Sequence, residues 1–293
     1  MILFNEMIFK KAINLLRVRQ WYKNLVIFIA ILFGLQLFNV LSITKIFLGF
    51  VSLCFISSVN YIINDIADKK KDIENPEKRN RPIASGEIKL WQAILVAIIL
   101  FLGSFSIAFL LSKNFLYFIL ILFILGLIYS LWAKNKLFLD VLIIAINFVI
   151  RALSGVIILN LPISNWLITC TFFLSLLLSV GKRKAESSFL KEGASEHRRV
   201  MGAYSKEIIN MLIIISASCL IMSYAIYSFS GKYIYMIITL PIAFYLVLRY
   251  ISLIYSDSII ARHPEKIFTD KKMILGILFW IILVIIIIYS GIL

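Results

Sequence analysis

Nine stretches of this chain, at 25–41, 46–63, 90–111, 115–132, 139–160, 163–180, 208–229, 233–255 and 273–293, are almost purely apolar. Each is close to the ~20 residues that cross the ~30 Å hydrocarbon core of a bilayer as an α-helix. A helix satisfies its backbone N–H and C=O groups internally, which lipid cannot do for it. Composition agrees: 62% of the 293 residues are hydrophobic and only 15% charged, against about 25% charged in soluble domains, and the mean hydropathy is +0.99. The expectation is an all-α integral membrane protein, one domain over residues 1–293, built as a bundle of about nine transmembrane helices. The first run follows Lys10, Lys11, Arg17, Arg19 and Lys23 and lacks a small-residue cleavage site, so it reads as a retained helix and not as a signal peptide.

Nine crossings place alternate loops on opposite faces. Apart from Lys45, Lys113, Lys232 and Arg151, every lysine and arginine falls on the face that holds the amino terminus, and the 15 acidic residues lie there or at its helix ends. By the positive-inside rule that face is expected to be cytoplasmic, in a cell membrane. The net charge of +15 flanks membrane spans, so it points to anionic lipid headgroups and phosphorylated substrates and not to nucleic acid. Cys54, Cys170 and Cys219 lie in apolar runs without paired spacing and read as small buried hydrophobes; His197 and His263 are isolated loop residues.

The second run ends in Asn64-Asp65-Ile66-Ala67-Asp68-Lys69-Lys70-Lys71-Asp72 and leads into Lys78-Arg79-Asn80-Arg81-Pro82. On a helix of 3.6 residues per turn, Asp65, Asp68 and Asp72 fall within roughly 60° of one another and form one acidic face. Mg2+ favours hard oxygen ligands from one or two carboxylates, completed by water and substrate phosphate. Arg79 and Arg81 add planar guanidinium groups suited to phosphate oxygens. A solvated loop ending a membrane helix would explain the three lysines, but not three same-face carboxylates beside an Arg-x-Arg-Pro turn.

Two further patterns follow from spacing. Asp140, Asn147 and Arg151 recur at i, i+7 and i+11, with Ser154 continuing the stripe, and Arg151 lies roughly 16 Å along the axis from Asp140. An arginine that deep costs from about 2.5 kcal/mol upward if it faces lipid, so it is expected to face the bundle interior or a wet cavity. A structural ion pair or carbonyl contact is the plainer alternative. In Arg17-Val18-Arg19-Gln20-Trp21-Tyr22-Lys23-Asn24, Gln20, Lys23 and Asn24 share one face if the segment is α-helical, although such a basic aromatic segment is also suited to the headgroup layer.

The Asn-Asp-x-x-Asp-x-x-x-Asp string after the second membrane helix resembles the first aspartate-rich motif of the UbiA superfamily of intramembrane prenyltransferases. The longer string through Asn75-Pro76-Glu77-Lys78-Arg79-Asn80-Arg81-Pro82-Ile83-Ala84-Ser85-Gly86 is similar to its decaprenyl-phosphate phosphoribosyltransferase branch. The resemblance implies a substrate-phosphate role for Lys23 and Asn24 in the Arg-x-x-Gln-Trp-x-Lys-Asn opening. It also implies cavity-facing roles for Tyr129 and Lys134, in Tyr129-Ser130-Leu131-Trp132-Ala133-Lys134, with Asp140 following. Prenyl-transferring members carry a second motif, Asp-x-x-x-Asp, on the sixth helix. Here Lys182 and Glu186 stand at that spacing, in Gly181-Lys182-Arg183-Lys184-Ala185-Glu186, which is similar to the phosphoribosyltransferase branch. Arg198 and Arg199 in the next loop are either phosphate contacts or surface charge.

The resemblance therefore implies Mg2+-dependent transfer of a phosphoribosyl group from phosphoribosyl pyrophosphate to a decaprenyl-type polyprenyl phosphate, releasing pyrophosphate. Asp65, Asp68 and Asp72 are the expected metal ligands and, with Lys134 and Asp140, the expected catalytic set. Lys23, Asn24, Asn64, Arg79, Arg81, Tyr129, Asn147, Arg151, Lys182, Arg183 and Glu186 are the expected substrate contacts. Transfer of an isoprenyl chain from a prenyl diphosphate to an aromatic or other acceptor is the alternative. A transporter lined by the Arg151 stripe is the alternative of another class.

Overall fold

The computed structural model describes residues 11–76, 78–189, 204–230, 232–256 and 258–290; Lys10, Glu77, His197, Arg198 and Arg199 lie outside them. Its helices in chain order are α1 (Ile29–Phe33), α2 (Val40–Ala67), α3 (Lys69–Glu74), α4 (Leu90–Leu111), α5 (Lys113–Leu131), α6 (Leu139–Ile158), α7 (Asn165–Phe189), α8 (Lys206–Ser230), α9 (Leu240–Tyr255), α10 (Ile259–Arg262) and α11 (Lys271–Tyr289). Among the described residues, eight helical segments are long and apolar enough to cross a membrane, one for each expected run after the first.

The first run crosses differently. Val18–Phe28 is a 3-10 helix that passes directly into the short α1. At ~2.0 Å per residue for 3-10 and ~1.5 Å for α geometry, residues 18–33 reach about 30 Å, the thickness of the hydrocarbon core. Both ends are anchored. Arg17 pairs with Asp65 at the end of α2, and the Leu37 backbone N–H donates to the Tyr289 hydroxyl at the far end of α11. The three-residue period lines up Trp21, Asn24 and Ile27 along α2. Trp21 donates to Ser58 at 3.1 Å, Asn24 donates to the Cys54 sulfur at 3.3 Å, and Ile27 packs beside Gly49.

Two apolar cores flank the middle of the molecule. One gathers Ile27, Leu53, Ile56, Ile62, Phe115 and Ile119 from the amino-terminal crossing, α2 and α5. The other gathers Leu177, Val180, Ile209, Ile213, Leu253 and Ile254 from α7, α8 and α9. Helix α6 joins them, giving Val141 and Ala145 to the second core and Ile158 to the first.

Where helices meet closely, small residues sit at the seam, as packing without a hydrophobic drive in lipid requires. Ser52 and Ser104 hydrogen-bond reciprocally across α2 and α4. At Gly155 a Cβ would lie 2.4 Å from the Ile27 carbonyl oxygen, so only glycine lets α6 approach the crossing. Pro241 stands in the first turn of α9 after a 3-10 segment, Ile234–Thr239. No N–H partner is needed there, so the ring causes no break.

Candidate active site

Three groups of ionisable side chains at the charged end of the bundle, among the described residues, bear on the site. The first is the acidic motif. Asp65 lies in the last turn of α2, only 4% exposed, and accepts from Arg17 and, at 3.0 Å, from Arg81. The same Arg81 nitrogen donates to Asp72 at 2.6 Å. Asp68 caps the end of α2, where the backbone leaves the helix before α3 begins. Both of its oxygens accept from Lys134, at 2.6 and 2.7 Å, and Lys134 also reaches the Asn64 side-chain oxygen at 3.3 Å.

The three carboxylates thus cluster where α2 gives way to α3 but form two centres. Asp65 and Asp72, seven residues apart and nearly eclipsed on a helix, converge on Arg81; Asp68, about 60° away and at the break, turns to Lys134. Among the described residues, no three His, Cys, Asp or Glu side chains converge as a metal ligand set. The donors nevertheless fit a divalent cation. Two carboxylate oxygens already converge on a single positive nitrogen, and carboxylates completed by water and phosphate suit Mg2+. Burial pushes the Asp72 carboxyl above the usual carboxylate range, with Arg81 acting in the opposite direction.

The second group joins α6 to α7. Asp140, 0% exposed, accepts from Arg183 Nε at 2.8 Å and from the Tyr204 hydroxyl at 2.7 Å. Arg183, 3% exposed, donates its other arm to Glu186 at 2.5 Å. The Tyr204 hydroxyl in turn accepts from the Phe138 backbone N–H at 3.2 Å. Asp140, Arg183 and Glu186, expected to meet substrate, are bound to one another. Lys182 remains half-exposed, 3.9 Å from Glu186.

The third group lies deeper. Lys23 donates to the Tyr61 hydroxyl at 3.4 Å, and Arg151 lies within electrostatic reach of Tyr22, Tyr61 and Cys54, so it faces the bundle interior. Two expected contacts depart from this region. The 3-10 period turns Asn24 about 120° from Lys23, and Asn24 is fully buried, donating to Cys54 and accepting from Ser57 at 3.4 Å. Asn147 donates to the Ile143 carbonyl of its own helix at 2.9 Å, as polar side chains on helices often do. Tyr129 is half-buried within electrostatic reach of Arg183, and Arg79 is exposed in the turn before Arg81.

Arg17, Tyr61 and Tyr204 were not among the residues expected at the site. Tyr61 carried a usable signal, since it stands four residues before Asp65 on the same helical face. Arg17 headed the Arg-x-x-Gln-Trp-x-Lys-Asn opening, but neither its pairing with Asp65 nor that of Tyr204 with Asp140 was visible, because they span 48 and 64 residues of chain.

Known proteins share this architecture and sequence. The UbiA homolog from Archaeoglobus fulgidus, solved bound to GPP and Mg2+, superposes with a TM-score of 0.72 at 21% identity, covering 94% of this chain and 99% of that one. Decaprenyl-phosphate phosphoribosyltransferase from Mycolicibacterium smegmatis is 30% identical over 222 residues, 74% of this chain and 70% of the relative. The enzyme of that name from Mycobacterium tuberculosis is 28% identical over 280 residues, 92% and 91% of the two chains. The sequence model of the UbiA prenyltransferase family matches residues 25–263, and with so much of the chain matched, including the whole acidic motif, this integral membrane transferase belongs to that family.

Proposed function

We propose that this transferase moves a 5-phosphoribosyl group from phosphoribosyl pyrophosphate to a polyprenyl phosphate of decaprenyl type, releasing pyrophosphate, with its charged end in the cytoplasm. The observation that carries the reading is the composition of α7. Where prenyl-transferring relatives are expected to hold two aspartates, this chain has Lys182 and Glu186, and the single carboxylate is held by Arg183 at 2.5 Å. A second metal centre for an isoprenoid diphosphate has no pair of ligands there. A lipid that enters with one phosphate needs none.

Asp65 and Asp72, with Asp68 beside them, would hold Mg2+, which when bound neutralises the leaving pyrophosphate. Arg81 and Lys134 pair with these carboxylates, and both can transfer donors to phosphate oxygens as charge develops there. Lys182, half-exposed at the rim, adds a further cation. The polyprenyl phosphate oxygen is already anionic at neutral pH, so the attack needs no general base.

The test is transfer by the purified protein with Mg2+, offered labelled phosphoribosyl pyrophosphate with a polyprenyl phosphate, and separately a labelled prenyl diphosphate with a phenolic acceptor. Label should reach lipid only from the phosphoribosyl donor. Lys182→Ala should raise KM for one phosphorylated substrate more than it lowers kcat, as loss of uniform binding does. Label passing from the prenyl diphosphate instead would establish prenyl transfer and overturn the reading of α7.

A further inference from the structure

One helical turn deeper than the carboxylates, the balance of charge reverses. Tyr61 precedes Asp65 by four residues on α2, so its ring lies ~6 Å further from the charged end. Lys23 donates to its hydroxyl and lies 6.0 Å from its ring centroid and 5.9 Å from that of Tyr22. Arg151 comes from α6 to the same level. Gly155, one turn further along α6, packs on Ile27, and Lys23 stands about as far back along the crossing. The guanidinium lies 5.6 Å from the Phe148 ring centroid, and its Nε is buried with no hydrogen-bond partner among the described residues.

Four other cations at this end are held by carboxylates: Arg17 and Arg81 have Asp65, Lys134 has Asp68, and Arg183 has Asp140. Lys23 and Arg151 form no such pair among the described residues. Glu265, the acidic group whose charge reaches Tyr22 and Lys182, contacts His263 at 3.3 Å. An interior cation without a counter-charge is costly. Two cations with the Tyr22 and Tyr61 hydroxyls beside them offer donors to an anion with several acceptor oxygens, and a guanidinium fork matches phosphate in particular.

We propose that Lys23, Tyr61 and Arg151 form a phosphate-monoester site separate from the carboxylate cluster. Two sources carry that chemistry, the lipid phosphate and a sugar 5-phosphate. Its assignment to the acceptor lipid rests on the function proposed above. In that arrangement the carboxylate end handles the leaving diphosphate, and the deeper cations hold the incoming phosphate against an apolar bundle suited to its tail.

The experiment measures binding by isothermal titration to the full chain in detergent, with farnesyl monophosphate, ribose 5-phosphate, and inorganic pyrophosphate with Mg2+ as probes. Arg151→Gln and Lys23→Gln should each weaken a monoester by at least about tenfold and leave pyrophosphate–Mg2+ binding within about twofold. Asp68→Asn should do the reverse. Arg151→Lys, which keeps the charge, should recover part of the loss and shows that a defect in Arg151→Gln is not one of folding. Loss confined to farnesyl monophosphate upholds the site with the lipid as occupant, and loss confined to ribose 5-phosphate upholds it with the sugar. Unchanged binding of both monoesters, or equal loss of pyrophosphate, overturns it. Selective monoester loss in a protein that transfers no phosphoribosyl group would leave the site standing and remove the proposed reaction. Transfer with unchanged monoester binding would do the opposite.

Discussion

Arg183 has its Nε on Asp140 and its Nη1 on Glu186 while 3% exposed, so it contributes chiefly by tying α7 to the start of α6. Removing one partner of a buried pair costs ~3–5 kcal/mol when the other charge is left uncompensated, and here Glu186 still offsets part of the Arg183 charge. Asp140→Asn is therefore expected to lower the melting temperature of the purified protein substantially. Tyr204→Phe removes one hydrogen bond to Asp140 and should cost less, ~1–3 kcal/mol. A wild-type melting curve for Asp140→Asn would show that the pair does not hold the helices together. Asp140 stood out in the sequence by its charge beside an apolar run, and Arg183 and Glu186 through a resemblance, but nothing in their spacing showed that they would neutralise one another. Burial and the Asp140 carboxylate raise the Tyr204 hydroxyl above the ordinary phenol range, so it stays protonated and continues to donate.

At the scale of an element, the amino-terminal crossing decides which side chains face the interior. Its 3-10 period sends Trp21 to Ser58, Asn24 to Cys54 and Lys23 to Tyr61, at successive points on α2. An α-helix through the same residues would instead have set Lys23 and Asn24 on either side of Gln20, at i+3 and i+4. The crossing is seated against α6 at Gly155, where an added Cβ would meet the Ile27 carbonyl at 2.4 Å and the Ala30 Cβ at 2.8 Å. Backbone cannot yield there as a flexible side chain could. Gly155→Ala is expected to cost ~1–3 kcal/mol through overpacking and to lower kcat/KM by displacing Lys23. Gly103→Ala, whose Cβ would rest 3.3 Å from the Phe55 ring, is the control expected to be milder. Thermal melts and steady-state kinetics of the two variants compare them directly, and equal behaviour would remove the seating role assigned to Gly155.

For the whole molecule, the crossings place Asp65, Lys134, Asp140 and Arg183 at one end and Leu37 and Tyr289 at the other. The exposed Lys113 and Lys232 lie at that second end, and the exposed Glu87 and Lys136 at the first. With the native cysteines replaced, single cysteines at 87 and 136 should resist a membrane-impermeant maleimide in intact cells and react once the membrane is opened. Those at 113 and 232 should react from outside. The reverse pattern would place the charged end outside the cell and exclude a cytoplasmic phosphoribosyl donor.

What the sequence determined by itself was set by local rules. Apolar length identified the crossings, flanking lysines and arginines ordered the two faces, and the i, i+3, i+7 carboxylates located the charged end of α2, because each pattern operates within a few turns of chain or along a single loop. It also isolated Arg151, since a lone guanidinium amid apolar residues must find the bundle interior. Pairing across the bundle was decided only in three dimensions. Arg17 meets Asp65, Lys134 meets Asp68, and Arg183 with Tyr204 closes on Asp140, over separations of 43 to 66 residues. Those partners are set by which helices lie side by side and by how far each is rotated. A 3-10 crossing seated on a glycine, and a helix break at Asp68, set two of the rotations that matter at the site.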